Sequence, residues 1–353
     1  MSQVRLGIIG CGVIGRQHLT SARALDNVET VALCDIDPEI ATAAAAEFGV
    51  GTSYTDPHEL LADDRIEAVV IGLPAGVRQP VVLAAFAAGK HVLTEKPVGM
   101  NSAQVRELIA ARGSLIAGCC SSRNRQLESS KVAAEYVASG RLGTLRLVRG
   151  RGVNPAPARP DKSPPPWRLN RSLNGGGIMS NWGCYDLDYL LGITGWKLRP
   201  ETVFAQTWPV SDNLADYVAP GSDAETHAVA LVRCADGIAL TLERGEYLPV
   251  AREDVWQVIG THGSLRLCML PRRPNSVYLE AHDETGTSTS VLWQGDEVGD
   301  TMRQGIIRDF GAAVREQRPP MTSLEQALIV QQITDGIYES ARTGTAVSLT
   351  AEG

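Results

Sequence analysis

The chain has no excess of positive charge: 33 lysines and arginines stand against 40 aspartates and glutamates, a net of -7 over 353 residues. A phosphate backbone calls for a basic surface, so nucleic acid is not the expected partner and the ligand should be small, or another protein. Also missing is any apolar run near the ~20 residues that cross a bilayer. The longest, Ala68 to Val77, is broken by Pro74 and two glycines, so no membrane contact is expected. No C-x-x-C pair occurs among the seven cysteines (Cys11, Cys34, Cys119, Cys120, Cys184, Cys234, Cys268). Neither a zinc cluster nor a thioredoxin-like pair is supported; no metal is expected and free thiols are the plain reading. The start, MSQVRLGIIGCGVIG, sets a basic residue before an apolar run as a secretion signal does, but glycines crowd it and no cleavage-type site follows. It reads as a first strand, and the expected location is the cytosol.

What is present divides in two. The length suits about two domains of ~150 residues, and 44% apolar with 21% charged residues is a globular composition. From Val4 to about Cys120, short apolar runs (VRLGIIG, TVALCDID, AVVIGL, HVLTEK, SLIAGCC) alternate with helical ones. Strands apolar on both faces and separated by helices predict a doubly wound parallel sheet over residues 1–121. Beyond it the grammar changes. A helix over Leu127–Ser139 ends at Gly140 and leads to the strand TLRLVRGRGV. Next comes NPAPARPDKSPPPW, whose six prolines predict an extended loop without regular structure. Alternating strands follow, with Asp236-Gly237 as a hairpin turn and a second turn at Thr261 to Gly263. Helices over Met302–Glu316 and Ser323–Arg342 finish the chain. Residues 122–353 thus read as an α+β domain on a large, mainly antiparallel open sheet, with terminal helices free to pack across both domains, and all six tryptophans fall in this half.

GCGVIG puts Gly10, Gly12 and Gly15 in G-x-G-x-x-G spacing, with Cys11, Val13 and Ile14 between them. The spacing alone arises by chance in glycine-rich chains. Here it follows a predicted strand and opens a predicted helix, the setting in which the glycines permit a tight turn, close approach to a pyrophosphate, and helix–strand packing. Asp35, followed by Ile36, stands twenty positions after Gly15 at the end of the second strand. A carboxylate there accepts from ribose hydroxyls and repels a 2′-phosphate, which favours NAD over NADP. Ligands of such sheets bind beyond the carboxyl ends of the strands, which draws in Leu73 and Pro74 of GLPAG and Glu95 and Lys96 of TEKP.

These motifs, together with NRQLES leading to ASGRLGTL, GGGIMSNWGCYDLDYLLG (175–192) and the closing ALIVQQITDGIYESARTGTAVSL, resemble the glucose-fructose oxidoreductase, inositol dehydrogenase and MocA (Gfo/Idh/MocA) family over nearly the whole chain. The resemblance implies a Rossmann domain followed by an α/β domain whose open sheet often forms homo-oligomer contacts. It implies that Lys96 binds the reacting oxygen. Where the family carries an Asp and, four residues on, a His or Tyr that exchanges the proton, this chain has Asn181 and Tyr185; the next acid of the pattern is Asp188. Residues four apart share a helical face. Asp186 is expected to turn to solvent, and Asp188 to be structural or to support the site through a hydrogen bond.

A carboxamide at 181 orients hydroxyls but cannot ionise, so no carboxylate at that place offsets the effect of Lys96 on the Tyr185 phenol, and a nearby cation favours the phenolate. Trp167 and Arg168 are further candidates for substrate contact, Arg125 a weaker one, and His227 is expected to be an ordinary sheet residue. The resulting expectation is NAD-dependent hydride transfer at a secondary alcohol of a sugar, cyclitol or glycoside, with Lys96, Tyr185 and Asn181 catalytic. Two rivals stay open: a sugar redox enzyme that never releases NAD(H), and a non-catalytic NAD-dependent sensor on the same fold.

Overall fold

The computed structural model of the protein describes residues 2–160 and 165–349. The chain forms two compact units, one of residues 1–123 with 299–328 and the other of 124–298 with 329–353.

In the first unit, strands β1 (Val4–Ile9), β2 (Val28–Cys34), β3 (Ser53–Tyr54), β4 (Ala68–Ile71), β5 (His91–Thr94) and β6 (Ala117–Cys119) form one sheet in the order β3-β2-β1-β4-β5-β6. Every pairing is parallel. This is the order of a dinucleotide-binding sheet, with its reversal between β1 and β4. The apolar runs are buried on both faces because helices cover both. Ile9, Ile71, Val92 and Val105 pack on one side; Leu6, Ile8, Val70 and Leu93 pack on the other with Ile307 and Phe310 of the late helix Gly299–Glu316. Local chemistry sets the helix ends: Asp37 accepts from the backbone N–H of Glu39 at 2.9 Å ahead of Pro38, and Gly49 closes the same helix at φ +70°.

The second unit is built on β7 (Leu145–Pro155), β8 (Pro200–Trp208), β9 (His227–Cys234), β10 (Ala239–Leu248), β11 (Glu253–Gly260), β12 (Gly263–Leu267), β13 (Asn275–Asp283), β14 (Gly286–Gly295) and β15 (Val347–Ser348). They run in the order β14-β13-β12-β11-β7-β10-β9-β8-β15. All neighbours are antiparallel except β7 and β10. Asp236 (φ 62°) and Gly237 (φ 74°) make the turn between β9 and β10, as their residue types predict. Alternation decides the two faces. Val232, Leu240, Leu242, Trp256 and Val258 face a core completed by Leu187, Leu190 and Leu191 of the helix Cys184–Ile193, while Phe204, Trp208, Val229 and Leu231 stay exposed on the other face. Each fully buried Leu, Val or Ile of such a core contributes about 1.5–3 kcal/mol.

The proline-rich stretch departs from expectation at both described ends. Asn154 and Pro155 belong to β7, with Pro155 paired to Leu248, because a proline is tolerated where the strand needs no further donor. Pro166–Leu169 forms one 3-10 turn. Residues 161–164 of that stretch lie outside the described residues.

Candidate active site

The loop after β1 is built around its glycines. Gly10 takes φ +91°, a conformation that disfavours side chains, and a Cβ there would lie 2.9 Å from the Gly72 carbonyl oxygen. A Cβ on Gly15 would collide with the Gly10 carbonyl, so helix and strand approach as closely as they do only with glycine at 15. A Cβ on Gly12 would meet nothing within 4 Å: that side of the loop is open. Gly12 heads the helix Val13–Arg23, whose first turn has no side-chain cap. A helix N-terminus with free N–H groups beside an open glycine is a cradle for an anion such as a pyrophosphate. Asp35 closes the cradle: its Oδ2 accepts the Cys11 N–H at 2.8 Å and its Oδ1 the Asp37 N–H at 3.1 Å. Val13 and Ile36 are bare, 81% and 90% exposed. The Cys11 side chain is buried, and burial together with the Asp35 charge pushes its thiol up to about 11, so it is no nucleophile. All seven cysteines are free and buried.

The ends of β4 and β5 are tied by a residue the sequence pattern did not single out. Arg78, 2% exposed, donates to the carbonyl oxygens of Leu73, Glu95 and Pro97, and so fixes the Leu73-Pro74 loop and the turn bearing Lys96 together. An arginine in a helix reads as surface until its partners, 5 to 19 residues away, are known. The Glu95 carboxylate points inward. His18 Nε2 lies 2.9 Å from Oε1, and the Lys96 backbone N–H donates to Oε2 at 3.1 Å. Burial alone would raise the Glu95 carboxyl, but the His18 hydrogen bond and the charges of His18, Lys96 and Arg78 outweigh it and hold it at about 2. The half-buried Lys96 therefore rides on a turn locked from inside the unit.

In the second unit the triple glycine has a specific cause. Gly175 ends the short helix Arg171–Asn174 at φ +76°; a Cβ on Gly176 would strike the Tyr338 hydroxyl and one on Gly177 the Glu225 carbonyl. The fully enclosed Glu225 carboxylate accepts the N–H groups of Gly177 and Met179, each at 3.0 Å, and the Tyr338 hydroxyl at 2.9 Å. It caps the helix that bears Asn181 and Tyr185 from 48 residues away, a partnership no local signal announces. That helix opens with one π turn, Met179–Gly183. In an α-helix residues four apart are offset by about 40°; the wider π turn reduces the offset between 181 and 185. Tyr185 is buried, Asn181 half-buried, and the Trp182 ring meets the Tyr185 ring edge-on at 5.8 Å.

The expectation that Asp186 faces water is wrong. It is fully buried: Trp256 Nε1 donates to its Oδ1 at 2.9 Å, and Arg244 Nε stands 3.4 Å from its Oδ2. Both partners come from the sheet and lie 58 and 70 residues away, so helical position alone could not reveal them. Burial raises the Asp186 carboxyl, against the pull of Arg244 and the Trp256 hydrogen bond. Asp188 is also fully buried, in an ion pair with Arg125 Nε at 2.7 Å. That pair, with the Arg125 guanidinium 5.4 Å from the Trp196 ring, commits Arg125 to the interior. Arg168 pairs with Glu246 and donates to the Tyr247 hydroxyl at 3.1 Å, and Trp167 beside it is 45% exposed. His227 stacks on Trp208 and lies 3.3 Å from Glu243 Oε1, a sheet residue with partners.

A parallel sheet in this order, with a glycine cradle, an acid at the second strand end and a lysine at the fifth, defines a dinucleotide-binding oxidoreductase unit. Comparison with known proteins agrees. Residues 4–114 match the family described as "Oxidoreductase family, NAD-binding Rossmann fold" and residues 131–266 match the "GFO/IDH/MocA C-terminal domain". The chain is 30% identical over 362 residues to an oxidoreductase of Rhizobium meliloti, ORF334, covering 98% of each chain. It is 27% identical over 263 residues to the myo-inositol 2-dehydrogenase of Thermotoga maritima, covering 74% of each. Its fold matches levoglucosan dehydrogenase in complex with NADH and levoglucosan at a TM-score of 0.86 and 21% identity, covering 99% of this chain and all of the other. The protein belongs to the Gfo/Idh/MocA family of NAD(P)-dependent oxidoreductases. No helix among the described residues is long and apolar enough to cross a membrane.

Proposed function

We propose that the protein is an NAD-dependent dehydrogenase that moves a hydride between nicotinamide and a secondary alcohol carbon of a neutral polyhydroxylated molecule: a sugar, a cyclitol or a glycoside. The observation that carries the choice of cofactor is the Asp35 carboxylate, fixed at the rim of the glycine cradle by two backbone N–H groups, which leaves each oxygen able to accept a ribose hydroxyl. The residues that would hold the dinucleotide are Gly10 to Gly15, Asp35, Ile36, Leu73 and Pro74, with Glu95 holding the turn of Lys96. When bound, the nicotinamide supplies the hydride acceptor.

The chain's own residues then handle position and protons. Lys96 holds the reacting oxygen and stabilises its negative charge as the O–H proton leaves. Tyr185 takes that proton and returns it in the reverse direction. Asn181 orients a neighbouring hydroxyl, and Trp167 with Arg168 contacts the substrate. Support for the substrate class comes from the myo-inositol and levoglucosan enzymes that share the family or the fold. The exposed Phe204, Trp208, Val229 and Leu231 on the outer sheet face, beside Arg151 paired with Glu243 and Glu253, support assembly of two copies through that face.

A panel of sugars, inositols and glycosides with NAD+ and NADP+, followed by absorbance of the reduced cofactor, tests the reading. At least one neutral polyol should be oxidised with NAD+, and Lys96→Ala should abolish this. Tight binding of NADH with no turnover across the panel would favour the sensor instead.

A further inference from the structure

The inner face of β10 changes character along its length. Leu240 and Leu242 fill the core of the second unit, and the next residue on that face is Arg244, 2% exposed. The sheet makes room for it. Its cross-strand partners are the small residues Gly152 of β7 and Ala228 of β9, and a Cβ on Gly152 would fall on Arg244 Nη1. As a structural group the guanidinium is badly matched. Its Nε and Nη1 are buried without a hydrogen-bond partner, and so is Asp186 Oδ2, which Nε faces at 3.4 Å. A buried ion pair so incompletely bonded is typically no more stabilising than apolar side chains of the same volume, so stability is not what this arginine supplies.

What the guanidinium does meet is Trp182. It lies 4.7 Å from the ring centre, and a cation–π contact is strongest where, as here, the cation is stripped of water. Trp182 stands in the π turn, where the helical register is irregular, and its ring meets the Tyr185 ring edge-on at 5.8 Å and 61°. A line of packed groups thus runs from Gly152 through Arg244 and Trp182 to Tyr185, wholly within the second unit.

We propose that Arg244 is a positioning residue for the reaction: seated in the slot that Gly152 leaves, it fixes the Trp182 ring, and that ring fixes the direction of the Tyr185 phenol. The inference rests on the reading of Tyr185 as the proton-exchanging group. Arg244 itself touches no reactant. A proton passes only within hydrogen-bond reach, so a phenol oxygen displaced by about 1 Å costs roughly 100-fold in rate while cofactor binding is untouched.

The test is a double-mutant cycle on Arg244 and Trp182. It follows steady-state and single-turnover oxidation of a polyol that the wild type oxidises, with NADH affinity and urea midpoints measured in parallel. Arg244→Met should lower the hydride-transfer rate by roughly 10- to 100-fold, with substrate KM and NADH affinity within about twofold of wild type. The same loss should appear in Asp186→Asn with Arg244→Met, which removes both buried charges and keeps the fold, so that rate and stability separate. Trp182→Leu takes away the ring through which Arg244 acts, and in that background Arg244→Met should cost less than about threefold. A loss from Arg244→Met that is equal with and without the Trp182 ring, or a wild-type rate in Asp186→Asn with Arg244→Met, overturns the inference and leaves the role of Tyr185 standing. If Tyr185→Phe transfers hydride at the wild-type rate, or the wild type oxidises no polyol, both fall together.

Discussion

Replacing Asp35 by Asn should change cofactor choice more than any other single substitution. The carboxylate is half-buried and its oxygens accept the Cys11 and Asp37 N–H groups at 2.8 and 3.1 Å. Two terms set its effect. Each ribose hydroxyl bonded to a charged acceptor is worth about 1.5–3 kcal/mol. A 2′-phosphate brought to about 4 Å from the carboxylate costs roughly 1 kcal/mol per unit charge in a water-like surrounding and about 4 at an effective dielectric of 20. A near-dianion at this half-open rim is therefore disfavoured by at least about 2 kcal/mol, and loss of a hydroxyl bond adds to it. The wild type should prefer NAD+ to NADP+ by roughly 100-fold or more in kcat/KM, from these two terms together.

Asp35→Asn removes the charge yet keeps one acceptor for the loop, so the preference should fall below about 10-fold through weaker NAD+ and stronger NADP+ use, at a stability cost of about 1 kcal/mol. Salt offers an independent check, since screening should shrink the wild-type preference and leave the variant's nearly flat. Initial rates with both cofactors at two salt concentrations decide the matter. A wild type that prefers NADP+, or a variant with unaltered preference, would refute the argument.

Three further outcomes follow from the packing. Asp186→Asn leaves Arg244 buried without its ion partner and should destabilise the second unit by about 3 kcal/mol, whereas Asp186→Asn with Arg244→Met should recover most of it; urea midpoints measure both. Glu95 has a folded-state value of about 2 against 4.5 when exposed, so its contribution is complete above pH 4.5 and is lost as pH falls from there toward 2. Wild type should therefore lose about 2 kcal/mol between pH 6 and pH 3 relative to Glu95→Gln, the part of the window reached by pH 3, as read from urea midpoints; parallel profiles would contradict it. Arg78→Met leaves three carbonyl oxygens without their donor and should lower both stability and NADH affinity, the latter by about 10-fold, as fluorescence titration of NADH would report.

The first unit was legible because its signals are local. Gly10, Gly12 and Gly15 carry their own steric logic, and Asp35 follows at the spacing the strand–helix–strand unit imposes. The hairpin at Asp236-Gly237 was legible for the same reason, since left-handed turn residues between two alternating runs admit few alternatives. Features that depend on distant partners were not. Ser53–Tyr54 is too short to bear a pattern. The parallel pairing of β7 with β10 is a tertiary choice between strands about 90 residues apart. The helix Gly299–Glu316 shows an amphipathic face in the sequence but not that its core partners are Leu6, Ile8 and Val70. Asp186 looked exposed because helical periodicity says which residues share a face, not what a neighbouring strand offers that face; Arg244 and Trp256 made it a buried partner. Arg78, Glu225 and Glu246 share this character, each a charged residue whose role lies in a contact across the sheet or between strand ends.

The proposed chemistry depends most directly on Tyr185 as the proton-exchanging group. Single-turnover oxidation of the preferred polyol by Tyr185→Phe, with NADH affinity measured in parallel, tests it. Cofactor affinity should stay within about twofold of wild type and the hydride-transfer rate should fall by roughly 100-fold or more, the usual worth of a positioned acid–base group. Hydride transfer at the wild-type rate with Phe at 185 would contradict it.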